Sequence, residues 1–327
     1  MKKIAVIMGG YTKESAISIK SGKVVYENLC RKEFIPYKVY IFKDKWFVKD
    51  EKNKEYPIDK YDFSFSVVEN KIHFDCVFNA IHGTPGEDGI LQAYFELLKI
   101  PYTGCNFHHA NMTFNKKYCL TLLKHFGINT AISIFLNKNQ TICQNKILKK
   151  VGLPCFVKPN RSGSSIGISK VYEEKDLSNA IEKAFIEDEE IIIESFLKGR
   201  EVSVGVFSFK NETFVLPITE IISHNDFFDF ESKYSGKSQE ITPAKFLPNI
   251  QNKIKKVAKK VYNYLNLSGI SRSEYIIVNG EPFFLELNTV PGLSKESIFP
   301  QQLKIAGISL SDFFKDCINF SIKKMNK

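Results

Sequence analysis

Apolar and polar positions along this chain switch between two periods. Residues 3–8 form an apolar β-like run that ends at Gly9-Gly10. From Glu14 to Cys30 the apolar residues Ile17, Val24, Val25 and Leu29 recur at helical spacing. Tyr37 to Phe42 reads as a strand, and 46–74 as polar, strand-poor surface. Cys76 to Ile81 is another buried strand, which ends at His82-Gly83, with a helix beginning near Glu87-Asp88. Strand and helix in alternation predict an open parallel sheet whose ligands lie beyond the carboxyl ends of its strands. Gly9-Gly10 and His82-Gly83 both sit at such ends.

Further along, Asn115 to Phe126 reads as a helix closed by Gly127, and Pro154 to Pro159 as a short strand. A Gly/Ser-rich loop, Asn160 to Gly167, leads into a strand; Lys175 to Phe185 is helical; Glu190 to Glu194 is an apolar strand bounded by acids. Val202 to Phe207 and Thr213 to Ile218 pair as a hairpin. His224 to Ile241 is long, charged and aromatic, without clean periodicity, and a loop of that length is usually functional or disordered. Helices follow at Ile250–Leu265 and Leu310–Lys323. Near the end, Arg272-Ser273-Glu274 and Phe284 to Gly292 form two extended segments joined by a turn at Val278-Asn279-Gly280-Glu281-Pro282.

At 327 residues the chain is long enough for two or three domains with a real core. The apolar start is too short for a signal peptide and is followed by no small-residue cleavage site. No apolar run is long enough to span a bilayer. Seven cysteines without a CxxC pair fit free thiols in a reducing compartment, so the expected location is the cytoplasm, with no membrane partner. The net charge of +10 is spread over helix-like runs such as Lys253 to Lys256. That reads as solvated faces rather than a groove for nucleic acid, and no RNP, KH or zinc-finger pattern is present. Binding that falls steeply with salt would argue the reverse.

The chemistry gathers in a few places. Glu274, Glu286 and Asn288 are hard oxygen donors, the kind Mg²⁺ takes when it also holds substrate phosphates. Residues 286 and 288 are two apart on a strand, so they point the same way. Gly163-Ser164-Ser165-Ile166-Gly167 follows Lys158 and Arg161; small residues let backbone N–H groups approach phosphate oxygens, and the cations supply charge. It is neither a Walker loop nor GxGxxG, and alone such a stretch is more often only a turn. Glu194 and Gly199-Arg200-Glu201 could present acids to a nucleotide, or be a solvated strand end. His82 to Gly89 crowds glycines around a His and two acids; Glu87 and Asp88 could equally be first-turn helix acids, and His82 a satisfied structural histidine. Glu14, taken alone, reads as a helix N-terminal acid.

These motifs, in this order, resemble the D-alanine–D-alanine ligase family of the ATP-grasp superfamily. The resemblance runs from about residue 3 to residue 315, through Gly9-Gly10, Glu14 to Ser18, Ser21-Gly22, His82 to Gly89, Lys158-Pro159, Gly163 to Gly167, Glu194, Gly199-Arg200-Glu201, Lys233-Tyr234, Ile241 to Ala244, Glu286 to Gly292, Ser297 and Pro300. It implies an α/β fold, in part α+β: an N-terminal open parallel-sheet domain (1–107), then central (108–190) and C-terminal (191–327) domains that grip ATP between them. It implies ligation of two D-alanines through an acyl phosphate, for peptidoglycan synthesis, by a homodimer joined through the N-terminal domain. By the same resemblance Lys116 and Lys158 would contact ATP phosphates, Ser164 and Ser165 would belong to the covering loop, Glu194 and Leu197 would line the adenine pocket, and Glu201 would hold the ribose. Glu274, Glu286 and Asn288 would hold two Mg²⁺, with Mn²⁺ as a substitute. Arg272 and the Gly292 amide would stabilise the tetrahedral oxyanion. Glu14 would meet the ammonium of the first D-alanine, Lys233 and Ser297 the carboxylate of the second, with His82 near the reacting groups. Tyr234 would sit in a 224–241 lid, linked to Ser164 and Glu14, that keeps water from the acyl phosphate.

Two positions depart from the family pattern. The acid two residues after the Arg is usually Asp, and here it is Glu274; the lysine of Met-Asp-Lys stands here in Phe114-Asn115-Lys116. An added methylene matters because Mg²⁺ demands tight octahedral geometry, so a catalytically weakened ATP-grasp protein is one alternative. The others are D-Ala–D-lactate and D-Ala–D-Ser ligases; Lys233-Tyr234 argues against lactate, whose users tend to carry His in that lid.

Overall fold

The computed structural model describes residues 1–141, 143–209, 212–223 and 238–325. Lys233 and Tyr234, and with them most of the expected lid, lie outside those residues.

Strand β1 (Lys2–Gly9) is followed by helix α1 (Ser15–Asn28) and strand β2 (Phe34–Ile41), which pairs with β1 in parallel. Residues 46–74 are not strand-poor. They hold β3 (Trp46–Lys49), β4 (Glu55–Asp59), β5 (Ser64–Val67) and β6 (Asn70–Ile72), each antiparallel to the one before. The strands are three to five residues long, too short for alternation to stand out from the polar average. Their few apolar members, Phe47, Val48, Ile58 and Phe65, nonetheless turn inward beside Phe63 and Phe74. Strand β7 (Cys76–Asn79) then returns parallel to β1 on its other side. The seven-stranded sheet is therefore mixed, and the expected open parallel sheet is confined to β2-β1-β7. Strands joined by tight turns must run antiparallel; only those joined by longer crossovers can be parallel.

The parallel part positions the site. The Gly9-Gly10 and 82–89 loops both leave the carboxyl ends of its strands, as expected. Gly22 lets α1 lie close on β1, since a Cβ there would come 2.7 Å from the Met8 Cβ. Helix α2 (Ile90–Leu97) starts at Ile90 rather than near Glu87-Asp88, because the 82–89 loop turns through Gly89 at φ +91° first. Helices α3 (Phe107–Phe114) and α4 (Lys116–His125) follow; the Asn115 side chain caps α4 by accepting from the Tyr118 N–H.

A second, all-antiparallel sheet holds β8 (Ser133–Asn137), β9 (Cys155–Pro159), β10 (Ser169–Val171) and β11 (Glu190–Ser195), in the order β10-β9-β11-β8. Helices α5 (Gln144–Val151) and α6 (Leu177–Glu187) share its core. The third sheet is built on β12 (Arg200–Phe209), β13 (Glu212–Val215), β14 (Thr219–Ser223), β15 (Ser238–Ile241), β16 (Ile270–Val278) and β17 (Glu281–Asn288). Here β12 and β13 form the expected hairpin. The β16–β17 turn is two residues, Asn279 and Gly280, at φ +51° and +79°, the sign that a tight hairpin requires. Helix α7 (Pro248–Tyr264) covers this sheet. After α8 (Ile298–Ile305), helix α9 (Leu310–Met325) runs back to the first sheet, where Phe314 meets Phe78 edge to face at 5.3 Å. One apolar core thus joins Ile4, Val6 and Met8 to Phe299, Phe313 and Phe314, and ties the first sheet to the third.

Candidate active site

The β16–β17 hairpin carries four of the expected residues as a square. Arg272 stands opposite Asn288, and Glu274 opposite Glu286. Residues two apart on a strand share a face, as do directly opposed residues on paired strands, so all four project to one side. The ladder shifts register between Glu274 and Tyr275, and Tyr275 is fully buried. The Arg272 guanidinium closely contacts Glu274 Oε1 and donates to Ser203 Oγ at 3.0 Å. Burial opposes its charge, but Glu274, Glu286 and Glu240 outweigh that and hold its pKa above the usual range.

Two clefts meet at this square. The first, of about 610 Å³, lies between the second and third sheets and is lined by Lys158, Ser165, Glu194, Leu197, Glu201 and Glu274. Lys158 on β9 donates to Glu194 on β11 at 2.8 Å, both side chains being buried. Burial pulls the Lys158 ammonium down, and Glu194 more than offsets it, with Glu286 and Glu201 adding to the effect. Lys116 approaches from the start of α4; its Nζ donates to the Ser162 carbonyl at 2.6 Å and lies 4.0 Å from Glu286.

The second cleft, of about 340 Å³, is lined by Glu14, His82, Ser164, Arg272, Gly292 and Ser297. Glu14 occupies the N-cap position of α1 without capping it. Its Oε1 accepts instead from the Ser164 hydroxyl at 2.5 Å, so the helix-terminal reading of Glu14 gives way to a tertiary one. Gly163 makes this approach possible, since a Cβ there would sit 2.8 Å from the Glu14 carboxylate. Ser164 and Ser165 both hold left-handed backbone, at φ +50° and +58°. Ser297 Oγ lies 2.9 Å from Ser294 Oγ, against Gly292. Glu286 lines both clefts, and Asn288 opens into the second.

His82 has both ring nitrogens engaged: Nε2 with Ser21 Oγ at 3.1 Å, and Nδ1 with the Val290 carbonyl at 2.7 Å. Burial lowers its pKa, against the pull of Glu14, and so favours the neutral ring. Glu87 is buried and accepts from the backbone N–H groups of Gly83, Thr289 and Val290. Burial, with Glu14 adding to it, pushes this carboxyl up to about 7.

The donor set suits the Mg²⁺ that the sequence implies. Two carboxylates and an amide oxygen share one hairpin face at the junction of the clefts. No group of three or more His, Cys, Asp or Glu able to hold a metal is present among the described residues. Mg²⁺ bound together with phosphates needs none, because it commonly takes only one or two carboxylates.

Comparison with known proteins bears on this geometry. Residues 3–105 match the family model described as D-ala D-ala ligase N-terminus, and 122–319 the one described as D-ala D-ala ligase C-terminus. The D-alanine--D-alanine ligase of Flavobacterium johnsoniae is 57% identical over 98% of this chain and 100% of its own length. That of Christiangramia forsetii is 50% identical over 99% of each. The chain belongs to the D-alanine–D-alanine ligase family. Among solved structures, the VanG D-Ala:D-Ser ligase of Enterococcus faecalis superposes with a TM-score of 0.86 at 32% identity, over 97% of this chain and 98% of its own. The D-alanine--D-alanine ligase of Bacillus anthracis complexed with ATP gives 0.79 at 28%, over 99% and 98%. The fold is the ATP-grasp fold of these ligases.

Within that fold, sequence reasoning overlooked three groups. Ser21 appeared only as part of a motif, and it bonds both His82 and the Leu293 N–H. Glu87 was balanced between function and a helix-terminal acid. Glu220 was not singled out; it lines the first cleft and pairs with Arg200 through two 2.6 Å bonds, while that guanidinium stacks 3.7 Å over Phe246. Each acts on a partner far away in sequence, and no local spacing records that.

Proposed function

We infer that the chain joins two molecules of D-alanine at the expense of ATP, and that the two clefts divide the reactants. The observation that carries this is that Glu286 lines both clefts, where a phosphate in one and a carboxylate in the other could meet. Lys116 and Lys158 hold the ATP phosphates under the Ser165 loop, Glu194 and Leu197 face the adenine, and Glu201 takes the ribose. Glu274, Glu286 and Asn288 would hold Mg²⁺, or Mn²⁺ in its place, which when bound neutralises charge on the phosphates.

Glu14 orients the first D-alanine through its ammonium, with His82 bordering it. Its carboxylate attacks the γ-phosphorus; a C–O–P linkage forms and ADP leaves. The amine of the second D-alanine, its carboxylate held by Lys233 and Ser297, then attacks the acyl carbon; the C–N bond forms and phosphate leaves. Negative charge develops on the carbonyl oxygen at that moment, and Arg272 with the Gly292 amide is aimed at it. Tyr234 belongs to the lid over this step. The enzyme would work in the cytoplasm, a placement supported by its seven free thiols, and as a homodimer joined through residues 1–107. Sedimentation at the protomer mass would remove the dimer from this reading.

A coupled ADP-release assay tests the whole. ADP should appear only with D-alanine and Mg²⁺ or Mn²⁺ present, in equal amount with dipeptide, and faster with D-alanine as acceptor than with D-serine or D-lactate. Turnover with L-amino acids but not D-alanine would reject it.

A further inference from the structure

The five residues 289–293 follow β17 and carry the Gly292 amide, and every other backbone N–H in this stretch is held by the N-terminal part of the chain. Thr289 and Val290 donate to Glu87 Oε1 at 3.1 and 3.3 Å. Pro291 has no N–H. Leu293 donates to Ser21 Oγ at 3.0 Å. The Val290 carbonyl is held too, by His82 Nδ1 at 2.7 Å. Within 289–293, the Gly292 N–H alone has no acceptor among the described residues. An amide with no protein acceptor, in a stretch whose other N–H groups all have one, is what an oxyanion donor requires.

Protonation around the ring is self-consistent. A carbonyl can only accept, so Nδ1 carries the proton and donates to Val290. In the neutral ring Nε2 is then an acceptor, and the Ser21 hydroxyl donates to it. The same Ser21 oxygen accepts from Leu293. Glu87 Oε2 accepts from the Gly83 N–H at 3.1 Å, which ties the 82–89 loop to its own carboxylate. Ser21, His82 and Glu87 are all buried, and they come from α1 and the loop after β7.

We propose that Ser21, His82 and Glu87 are positioning residues that hold the 289–293 segment and so aim the Gly292 amide beside Arg272. This rests on the reading that the site forms an amide through a tetrahedral intermediate. The three residues act through the backbone of 289–293, and the charge they serve develops only in the second step. Loosening them should therefore slow amide formation more than acyl phosphate formation.

The test uses the full-length enzyme with Ser21→Ala and Glu87→Gln. The first removes the donor to His82 and the acceptor for Leu293. The second replaces one of the two oxygens that accept from Gly83 and from Thr289 and Val290 by an NH2, which then faces an N–H. Acyl phosphate formation is followed by scrambling of ¹⁸O from the β,γ-bridge of ATP in the presence of D-alanine, and the overall reaction by dipeptide and ADP. A displacement of about an ångström can cost on the order of a hundredfold, so dipeptide turnover should fall at least tenfold. Isotope scrambling and the KM for ATP should stay within about threefold on the same argument, because neither uses the aimed amide. ADP should exceed dipeptide as stranded acyl phosphate hydrolyses. Glu87→Asp, which keeps the acceptor, should recover part of the loss. Equal falls in scrambling and dipeptide, or an unchanged ADP-to-dipeptide ratio, would overturn the proposal. If wild-type enzyme made no dipeptide from D-alanine, the functional reading itself would fail, which is a separate outcome.

Discussion

The β16–β17 hairpin and the 160–167 loop both deliver functional groups to the same junction, and they are built in opposite ways. The hairpin fixes Arg272, Glu274, Glu286 and Asn288 by strand register, a ladder of backbone bonds that a one-residue slip would turn inside out. The loop has no ladder. It holds Ser164 and Ser165 in left-handed backbone and lies on Glu14 through one short hydroxyl–carboxylate bond and a glycine contact. Register suits groups that must meet developing charge without moving. A loop whose Ser164 tip rests on Glu14 by a side-chain bond rather than a ladder suits the phosphate cover proposed for it.

Removing a hairpin charge should give the largest effect. Arg272→Ala deletes the proposed oxyanion donor, and losses of such donors lower kcat by roughly 10²–10³-fold. It also leaves the buried Glu274 without the guanidinium it pairs with. Breaking a buried pair costs about 3–5 kcal/mol, so the thermal midpoint should drop as well. Arg272→Lys should recover part of the stability but little of the rate, because an ammonium cannot reach Ser203 and the carbonyl oxygen together. A kcat for Arg272→Ala within tenfold of wild type would mean that the square does not face the amide-forming carbonyl.

The same contrast explains what could be read from the sequence. The hairpin was legible because its signals are local: an Asn-Gly turn between apolar segments, and two donors two residues apart on one strand. The register that set Arg272 against Asn288 needed the fold. Glu14 and Ser164 were legible only through motifs in family order, since each alone was better explained as a helix terminus or a turn; Lys158, on the strand before the loop, favoured phosphate without deciding for it. Ser21 and Glu87 were not legible. The partners that tie them to the 289–293 segment are backbone amides 272 and about 200 residues away, and a backbone partner leaves no residue type to recognise. The strands of 46–74 were hidden for a different reason: their burial is divided over runs too short to display a period.

Gly163→Ala asks whether the loop's glycine contact matters to substrate. The new methyl would sit 2.8 Å from one Glu14 oxygen and 2.9 Å from the other, so the carboxylate has to swing away from Ser164. A charge-assisted bond contributes about 1.5–3 kcal/mol, so the KM for the first D-alanine should rise about tenfold or more. The KM for ATP should move less. An unchanged D-alanine KM would separate Glu14 from the first ammonium, and with it the claim that the loop bears on both clefts.

Ser165→Gly should give the smallest change, and its sign in stability is decided by two terms of similar size. Left-handed backbone at φ +58° costs a residue with a Cβ about 1–2 kcal/mol, which glycine does not incur. Glycine loses more chain entropy on folding, by about 0.5–1 kcal/mol. On these backbone terms the variant is equal to wild type or more stable by at most about 1.5 kcal/mol. If the serine is kept in that strained state because its hydroxyl covers phosphate, the KM for ATP must rise while the melting midpoint holds or increases. A midpoint that holds with no change in ATP affinity would show that the strain serves backbone N–H groups alone, and that the loop covers phosphate through its amides rather than its hydroxyl.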